Sequence, residues 1–299
     1  MLTKTFDIIH SVKNRISDTL YETPPLEVLE KLQELWVRYK PREITDNFCI
    51  GSVDSGYNWL ELRGYYIYVL NAGYIDNCSG KLEYAEIDIR ELTEDPREYL
   101  DLRSIRSELM IINKALELSN DIVLVDGSLI KKLIMLNKYL RETDLKIAEE
   151  MRSLVKEFAK KDVSRVVFLS KNSGSQNISK NLARDINKPD IILLEEYTSE
   201  IGFALGGRAS LEIFDEKFDV RFSYIRIETK SPVLRIEYLV DDEMSFIKRL
   251  IDILHTTSFN GYPAMLSLID KLVRVSDEDL IKVVNMLSID SYRERIRLR

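Results

Sequence analysis

Phe48-Cys49-Ile50-Gly51-Ser52-Val53-Asp54-Ser55-Gly56 and Ile122-Val123-Leu124-Val125-Asp126-Gly127-Ser128 decide how this chain is read. Each is a run of β-branched and apolar residues closed by an aspartate and then by small residues. A charge at the end of a core strand is costly to desolvate unless something compensates it. Two such carboxylates brought together repel, and a divalent cation between them resolves the repulsion. The reading therefore turns on whether the two strands lie side by side.

The intervening residues argue that they do. Gly64 to Ile75 (GYYIYVLNAGYI) reads as a strand pair or one long strand, and Lys81 to Arg90 (KLEYAEIDIR) as another, with Asn77-Cys78-Ser79-Gly80 as the turn between them. Pro96 opens a helical pattern with Ile105, Leu109, Ile112 and Leu116 on one face, ended by Ser119-Asn120. The order is strand, strand, strand, helix, strand. Three strands can meander antiparallel, and the helix permits a right-handed return that pairs the fourth parallel to the first. Asp54 and Asp126 then sit at the same end of neighbouring strands.

The helix adds a third acid. Glu108 lies three residues after Ile105 and four before Ile112, on the face turned to the sheet. Glu98 near the helix start is explained by the helix dipole, and Glu117 points elsewhere. Each aspartate alone reads more often as a turn residue than as a ligand. Asp54, Glu108 and Asp126 together form a candidate carboxylate cluster with ligand chemistry for Mg²⁺ or Mn²⁺, a recurring solution for phosphodiester cleavage.

With 299 residues, the chain can bury a large core. Its 31% charged and 45% hydrophobic residues mark a soluble globular protein. No apolar run approaches a membrane span, and the N-terminus lacks a signal-peptide pattern, so no membrane partner and a cytoplasmic location are expected. Cys49 and Cys78 lack metal-motif spacing and read as reduced. The net charge of −7 argues mildly against nucleic-acid binding, but distribution matters more than the total. Lys131-Lys132, Lys160-Lys161, Lys171, Lys180, Arg184 and the basic segment Tyr292–Arg299 supply positive points.

Elsewhere the pattern predicts helices over 1–38, one or two helices over 129–161 and a strand at Arg165–Ser170. It places a polar loop at Asn172–Asn177 and a helix over Ser179–Asp185. An apolar strand is expected at Asp190–Leu194, and a hairpin of Phe218–Glu228 with Val233–Val240. Helices are expected over 242–256, 263–273 and 276–288, the last opened by the capping box Ser276-Asp277-Glu278-Asp279. No repeat or linker divides the chain.

The order Asp on the first strand, Glu on the helix, Asp on the fourth strand resembles the ribonuclease H-like nuclease fold, and more specifically the NurA family of archaeal nucleases that work with the HerA hexameric translocase. The resemblance rests on Val53-Asp54-Ser55-Gly56, Leu124-Val125-Asp126-Gly127-Ser128, Val166–Ser173, Pro232–Glu237 and Gly261-Tyr262-Pro263, in family order over residues 50 to 270. The first motif departs from the family's Asp-Gly-Ser.

The resemblance implies an α/β fold: a ribonuclease H-like mixed sheet of three antiparallel strands, a helix and a parallel strand. It forms a single domain over 1–299 with helical segments at 1–40 and 242–299. It implies a divalent-metal-dependent DNA nuclease with Mn²⁺ (or Mg²⁺) as cofactor, 5′-to-3′ exonuclease and single-strand endonuclease activity, a homodimer, and HerA as partner in DNA end resection during double-strand-break repair. It adds two candidates to Asp54, Glu108 and Asp126. Tyr197 falls where the family places a tyrosine near the site. His255 falls where it keeps a histidine that ligates the metal or transfers protons, although many members carry theirs on the helix after Gly-Tyr-Pro, where this chain has Asp270; either His255 takes that role or Asp270 does so as an oxygen ligand. His10 reads as structural. Lys171 at a strand end suits a phosphate or transition-state oxygen, and Arg235 suits either DNA or an ion pair with Glu237. The alternatives are a weakly catalytic or non-catalytic subunit that binds DNA ends and HerA on the same fold, and a ribonuclease H-like enzyme acting on RNA or Holliday junctions.

Overall fold

A computed structural model describes residues 26–44, 47–62, 64–93, 95–118, 120–139, 145–183 and 188–287. His10, Arg184 and the basic segment Tyr292–Arg299 lie outside them. In chain order the elements are α1 (Leu26–Leu35), β1 (Val37–Arg38), β2 (Ile50–Leu62), β3 (Tyr65–Asp76), β4 (Lys81–Glu91), α2 (Pro96–Ala115) and β5 (Ile122–Asp126). Then come α3 (Leu129–Tyr139), α4 (Leu145–Lys160), β6 (Val166–Ser170), α5 (Asn177–Leu182), α6 (Asp190–Tyr197), β7 (Gly202–Ile213), β8 (Glu216–Arg226) and β9 (Leu234–Tyr238). The C-terminal part holds α7 (Glu243–Thr257), β10 (Ser258–Phe259), β11 (Tyr262–Pro263), α8 (Ala264–Val273) and α9 (Asp277–Met286).

Nine strands form one mixed sheet in the order β1-β7-β8-β9-β6-β5-β2-β3-β4. β2, β3 and β4 meander antiparallel, and β5 returns parallel to β2 with Val53 opposite Val125. The return is carried by α2, whose start is fixed locally. Asp95 caps it by accepting from the Arg97 amide, and Pro96 sits in the first turn, where no amide hydrogen is needed. Helices cover both faces. Leu102, Ile105, Leu109 and Ile112 of α2 pack with α3 and α4 against Val53, Val125 and Phe168. On the other face Ile247, Leu250, Ile251 and Leu254 of α7 and Leu266, Ile269 and Val273 of α8 pack against Ile50, Leu124 and Leu169. Each such side chain contributes about 1.5–3 kcal/mol on full burial. No helix among the described residues is long and apolar enough to cross a membrane.

Several expectations are corrected. The sheet has nine strands, so the three antiparallel strands and parallel fourth expected as the core are only part of it. Asp54 lies inside β2 rather than at its end, because pairing with β3 carries that strand on to Leu62. Asp190–Leu194 is not a strand but the body of α6. A run of four apolar residues carries no period to tell the two apart, and Pro189 sets the helix start. Val37–Arg38 is a short strand paired with Phe203 and Gly202 rather than helix. β7 was unanticipated; it joins β8 through Phe214 and Asp215, both at positive φ, as a tight hairpin turn requires. Cys49 and Cys78 form a disulfide, with Cα atoms 5.7 Å apart, rather than two reduced thiols.

Candidate active site

Strand alternation decides where the aspartates point. Val53 and Val125 face α2, so Asp54 and Asp126, one residue on, face α7 and α8 from adjacent strands. β5 stops at Asp126 while β2 continues, so beyond Asp54 one flank of β2 has no strand partner. Glu108 of α2 reaches this notch from the opposite face. It is buried, and its Oε1 accepts from the hydroxyl of Ser55, the residue after Asp54, at 2.6 Å. The same hydroxyl lies 2.6 Å from Ser104 Oγ.

The three carboxylates feel one another. Asp54 is 7% exposed, and burial, then Glu108, then Asp126 push its carboxyl up to about 8. Burial also raises Asp126, against the pull of Lys171 and Lys132. This is the signature of too much negative charge in too little water. The acids are neighbours, yet they are not drawn tightly together. Among the described residues no three of them offer ligand atoms all within 4.8 Å of one another. Glu108 is instead held by Lys132 of α3, whose ammonium donates to Oε2.

Two groups from the C-terminal part close the site. Tyr262 of β11 donates its hydroxyl to Asp126 Oδ1 at 3.3 Å, and burial followed by Asp126 raises its phenol well above the usual range. Asp54 and Asp270 of α8 act on the same phenol. Lys171, one residue past β6, places its ammonium 5.2 Å from the Tyr262 ring centroid. Of the other expected residues, Tyr197 ends α6 and packs against a separate cluster with Leu194 and Ile191. His255 is exposed near the end of α7, with Nδ1 2.7 Å from the Ile227 carbonyl. No hydrogen bond joins either to the three carboxylates among the described residues.

Arg235 and Glu237 form an ion pair buried in β9, at 3.0 Å. Glu237 also accepts from the Ser128 hydroxyl at 2.8 Å and the Ile130 amide at 2.9 Å. It thereby fixes the turn after Asp126 and the first turn of α3, which carries Lys132. Gly127 within that turn has φ +94°, where a side chain is strained. Lys132 and Glu237 are the site-building residues that sequence reasoning missed. Lys132 belongs to a Lys-Lys pair that sequence alone marks only as a positive point, and Glu237 is named there only as a possible ion-pair partner of Arg235, not as the acid that holds the start of α3.

The donor set fits a hard divalent cation. It is built from carboxylate oxygens, two of them on adjacent strands, with an Asp54 charge that a cation would stabilise. Cys49, Asp76 and Cys78 also cluster. There the cysteines are bonded to each other, and Asp76 already accepts from the Cys78 and Gly80 amides and from Tyr74.

The NurA domain family model matches residues 49–275. The chain is 24% identical to the DNA double-strand break repair nuclease NurA of Sulfolobus acidocaldarius, over 97% of this chain and 96% of that one. It is 22% identical to the protein of the same name from Saccharolobus solfataricus, over 98% and 97%. Its fold is similar to the crystal structure of the NurA nuclease from Sulfolobus solfataricus, with TM-score 0.77 and 23% identity over 98% of each chain. It is also similar to a crystal structure of NurA bound to dAMP and manganese, with TM-score 0.64 and 13% identity over 92% and 94%.

Proposed function

The chain belongs to the NurA family, and on that premise we propose that it is a divalent-metal-dependent DNA nuclease acting in double-strand-break repair. The observation that carries the proposal is the meeting of Asp54, Asp126 and Glu108 in the notch where β5 ends and β2 runs on. Manganese in a NurA crystal structure supports Mn²⁺ as the ion, with Mg²⁺ as the other candidate. Asp54 and Asp126 would hold it, with Glu108 completing the set. The ion supplies Lewis-acid activation of water and neutralises charge at the phosphate.

The chain's own residues do the rest. Lys171 is placed to stabilise a non-bridging phosphate oxygen beside Asp126. Tyr262 holds Asp126 in orientation, and Asp270 adds negative charge behind it. Glu237 keeps the Gly127-Ser128 turn in register with the end of β5. His255, on the Ile227 carbonyl, and Tyr197, in the separate cluster of α6, are given no catalytic part in the proposal.

Within this reading we place a 5′-to-3′ exonuclease with single-strand endonuclease activity, a ribonuclease H-like core, a homodimer around the substrate, and HerA as the partner during end resection in the cytoplasm. The support is family membership and full-length similarity. The alternative of a non-catalytic end-binding subunit is disfavoured by the intact carboxylates. Cleavage of DNA labelled at either end, single- and double-stranded, with Mn²⁺, Mg²⁺ or EDTA, tests activity and polarity together. Metal-dependent release of nucleotides from 5′ ends is expected. Cleavage unaffected by EDTA, or of RNA alone, contradicts the reading.

A further inference from the structure

Lys132 belongs to α3, outside the motifs that carry the family resemblance. Its ammonium donates to Glu108 Oε2, and the pair is shielded, with side chains 17% and 5% exposed. Lys132 also acts electrostatically on Asp54 and Asp126. It is thus in electrostatic reach of all three acids. Its place is specified rather than incidental. Glu237 locks the first turn of α3, and Gly127 leaves the space through which the lysine stem passes, its Cε 3.5 Å from where a Cβ would stand. Glu108 is held on its other oxygen by Ser55. Both oxygens of the helix carboxylate are therefore engaged by protein donors, and the three acids are not drawn to single-ion spacing.

We propose that Lys132 is a built-in counter-cation that competes with the divalent ion for Glu108, so that metal loading requires its ammonium to leave Oε2. The proposal rests on the nuclease reading and deepens it. The physical reason is balance of charge. Carboxylates crowded in a shielded notch repel as they ionise, and one ammonium relieves part of that repulsion when no ion is bound. A divalent cation relieves more, but Glu108 can ligate through Oε2 only when the lysine has withdrawn. The lysine stem is long and has rotatable bonds enough to swing toward solvent. Lys132 is in this account a positioning residue that sets metal affinity, and its effect has a definite sign.

Calorimetric titration of Mn²⁺ into wild type, Lys132→Met and Lys132→Arg tests it, with melting curves of each protein in EDTA. Lys132→Met is expected to bind Mn²⁺ at least about tenfold more tightly and to melt lower in EDTA, because buried Glu108 loses its counter-cation and keeps only the Ser55 hydroxyl. Lys132→Arg should stay close to wild type in both. Unchanged or weaker Mn²⁺ binding by Lys132→Met overturns the proposal, since a lysine that only braces α3, or that helps to orient Glu108 for the metal, would do one or the other. Amine acetylation of the wild-type protein, read by mass spectrometry, covers the case in which the variant fails to fold. Lys132 should be protected in EDTA and become reactive with Mn²⁺, and equal reactivity in both contradicts the exchange. A wild type that binds no Mn²⁺ at all removes the nuclease reading along with it, whereas normal wild-type binding without tightening removes this proposal alone.

Discussion

Asp54 and Asp126 leave adjacent parallel strands one residue beyond the directly opposed Val53 and Val125, on the same face of the sheet. Their proximity is a consequence of register. A slip of one residue would send one carboxylate into the core packed under α2 and leave the other alone.

The raised carboxyl of Asp54 has a signed consequence for stability. In the metal-free folded protein it stays protonated up to about 8, against 3.8 as a free side chain. Between those values the folded state binds more protons than the unfolded one, so stability falls as pH rises through the window. Melting curves in EDTA across that range should show the decline, and Asp54→Asn should flatten it and melt higher at its upper end. Because the metal needs the ionised carboxylate, Mn²⁺ affinity of the wild type should climb with pH toward 8. A flat profile in both measurements contradicts the buried, repelled state described for Asp54.

Glu237→Ala leaves Arg235 buried and unpaired and frees the start of α3. Loss of one partner of a buried pair costs about 3–5 kcal/mol. Chemical denaturation should register a loss on that scale, and a loss under about 1 kcal/mol would place the pair among ordinary surface ion pairs.

The disulfide ties the entry of β2 to the β3–β4 turn across 29 residues. Closing a loop of that length stabilises by about 3–4 kcal/mol through the unfolded chain. Thiol titration under denaturing conditions should find no free cysteine before reduction, and Cys78→Ser should melt lower. Two titratable thiols in freshly prepared protein would contradict the bond.

His255 and Asp270 separate two placements of the fourth site residue. The ring of His255 engages a backbone carbonyl, whereas Asp270 acts on the tyrosine that holds Asp126. Asp270→Ala is therefore expected to cut cleavage more than His255→Ala. A loss of roughly 10²-fold in His255→Ala, the scale of a missing general acid or base, would return that role to the histidine.

The half of the fold that carries Asp54, Glu108 and Asp126 was legible in the sequence because local patterns and global order agreed there. Ile122–Asp126 is a strand by composition, Pro96 marks a helix start, and the strand–helix–strand order leaves one right-handed return. The other half was less legible for identifiable reasons. Ile191–Leu194 is apolar without period, so helix and strand look alike. β7 mixes Gly206, Gly207 and Arg208 with alternating small residues, and its register shift between Leu205 and Gly207 breaks the alternation that would have revealed it. Glu108 was found because helical spacing is fixed. Lys132 was not, because which lysine of a pair turns inward depends on how α3 is seated, and that is decided by Glu237, more than a hundred residues away.

Cleavage of end-labelled single-stranded DNA by wild type and Asp126→Asn, with Mn²⁺ and with EDTA, bears most directly on the claim that these three carboxylates are the active site. Asparagine keeps the shape of the side chain and removes its charge. The account expects the wild type to cut only with the ion, and Asp126→Asn to lose at least about 10²-fold in rate, the scale of a lost transition-state contact, while melting as a folded protein. A folded Asp126→Asn that cuts at the wild-type rate would contradict it.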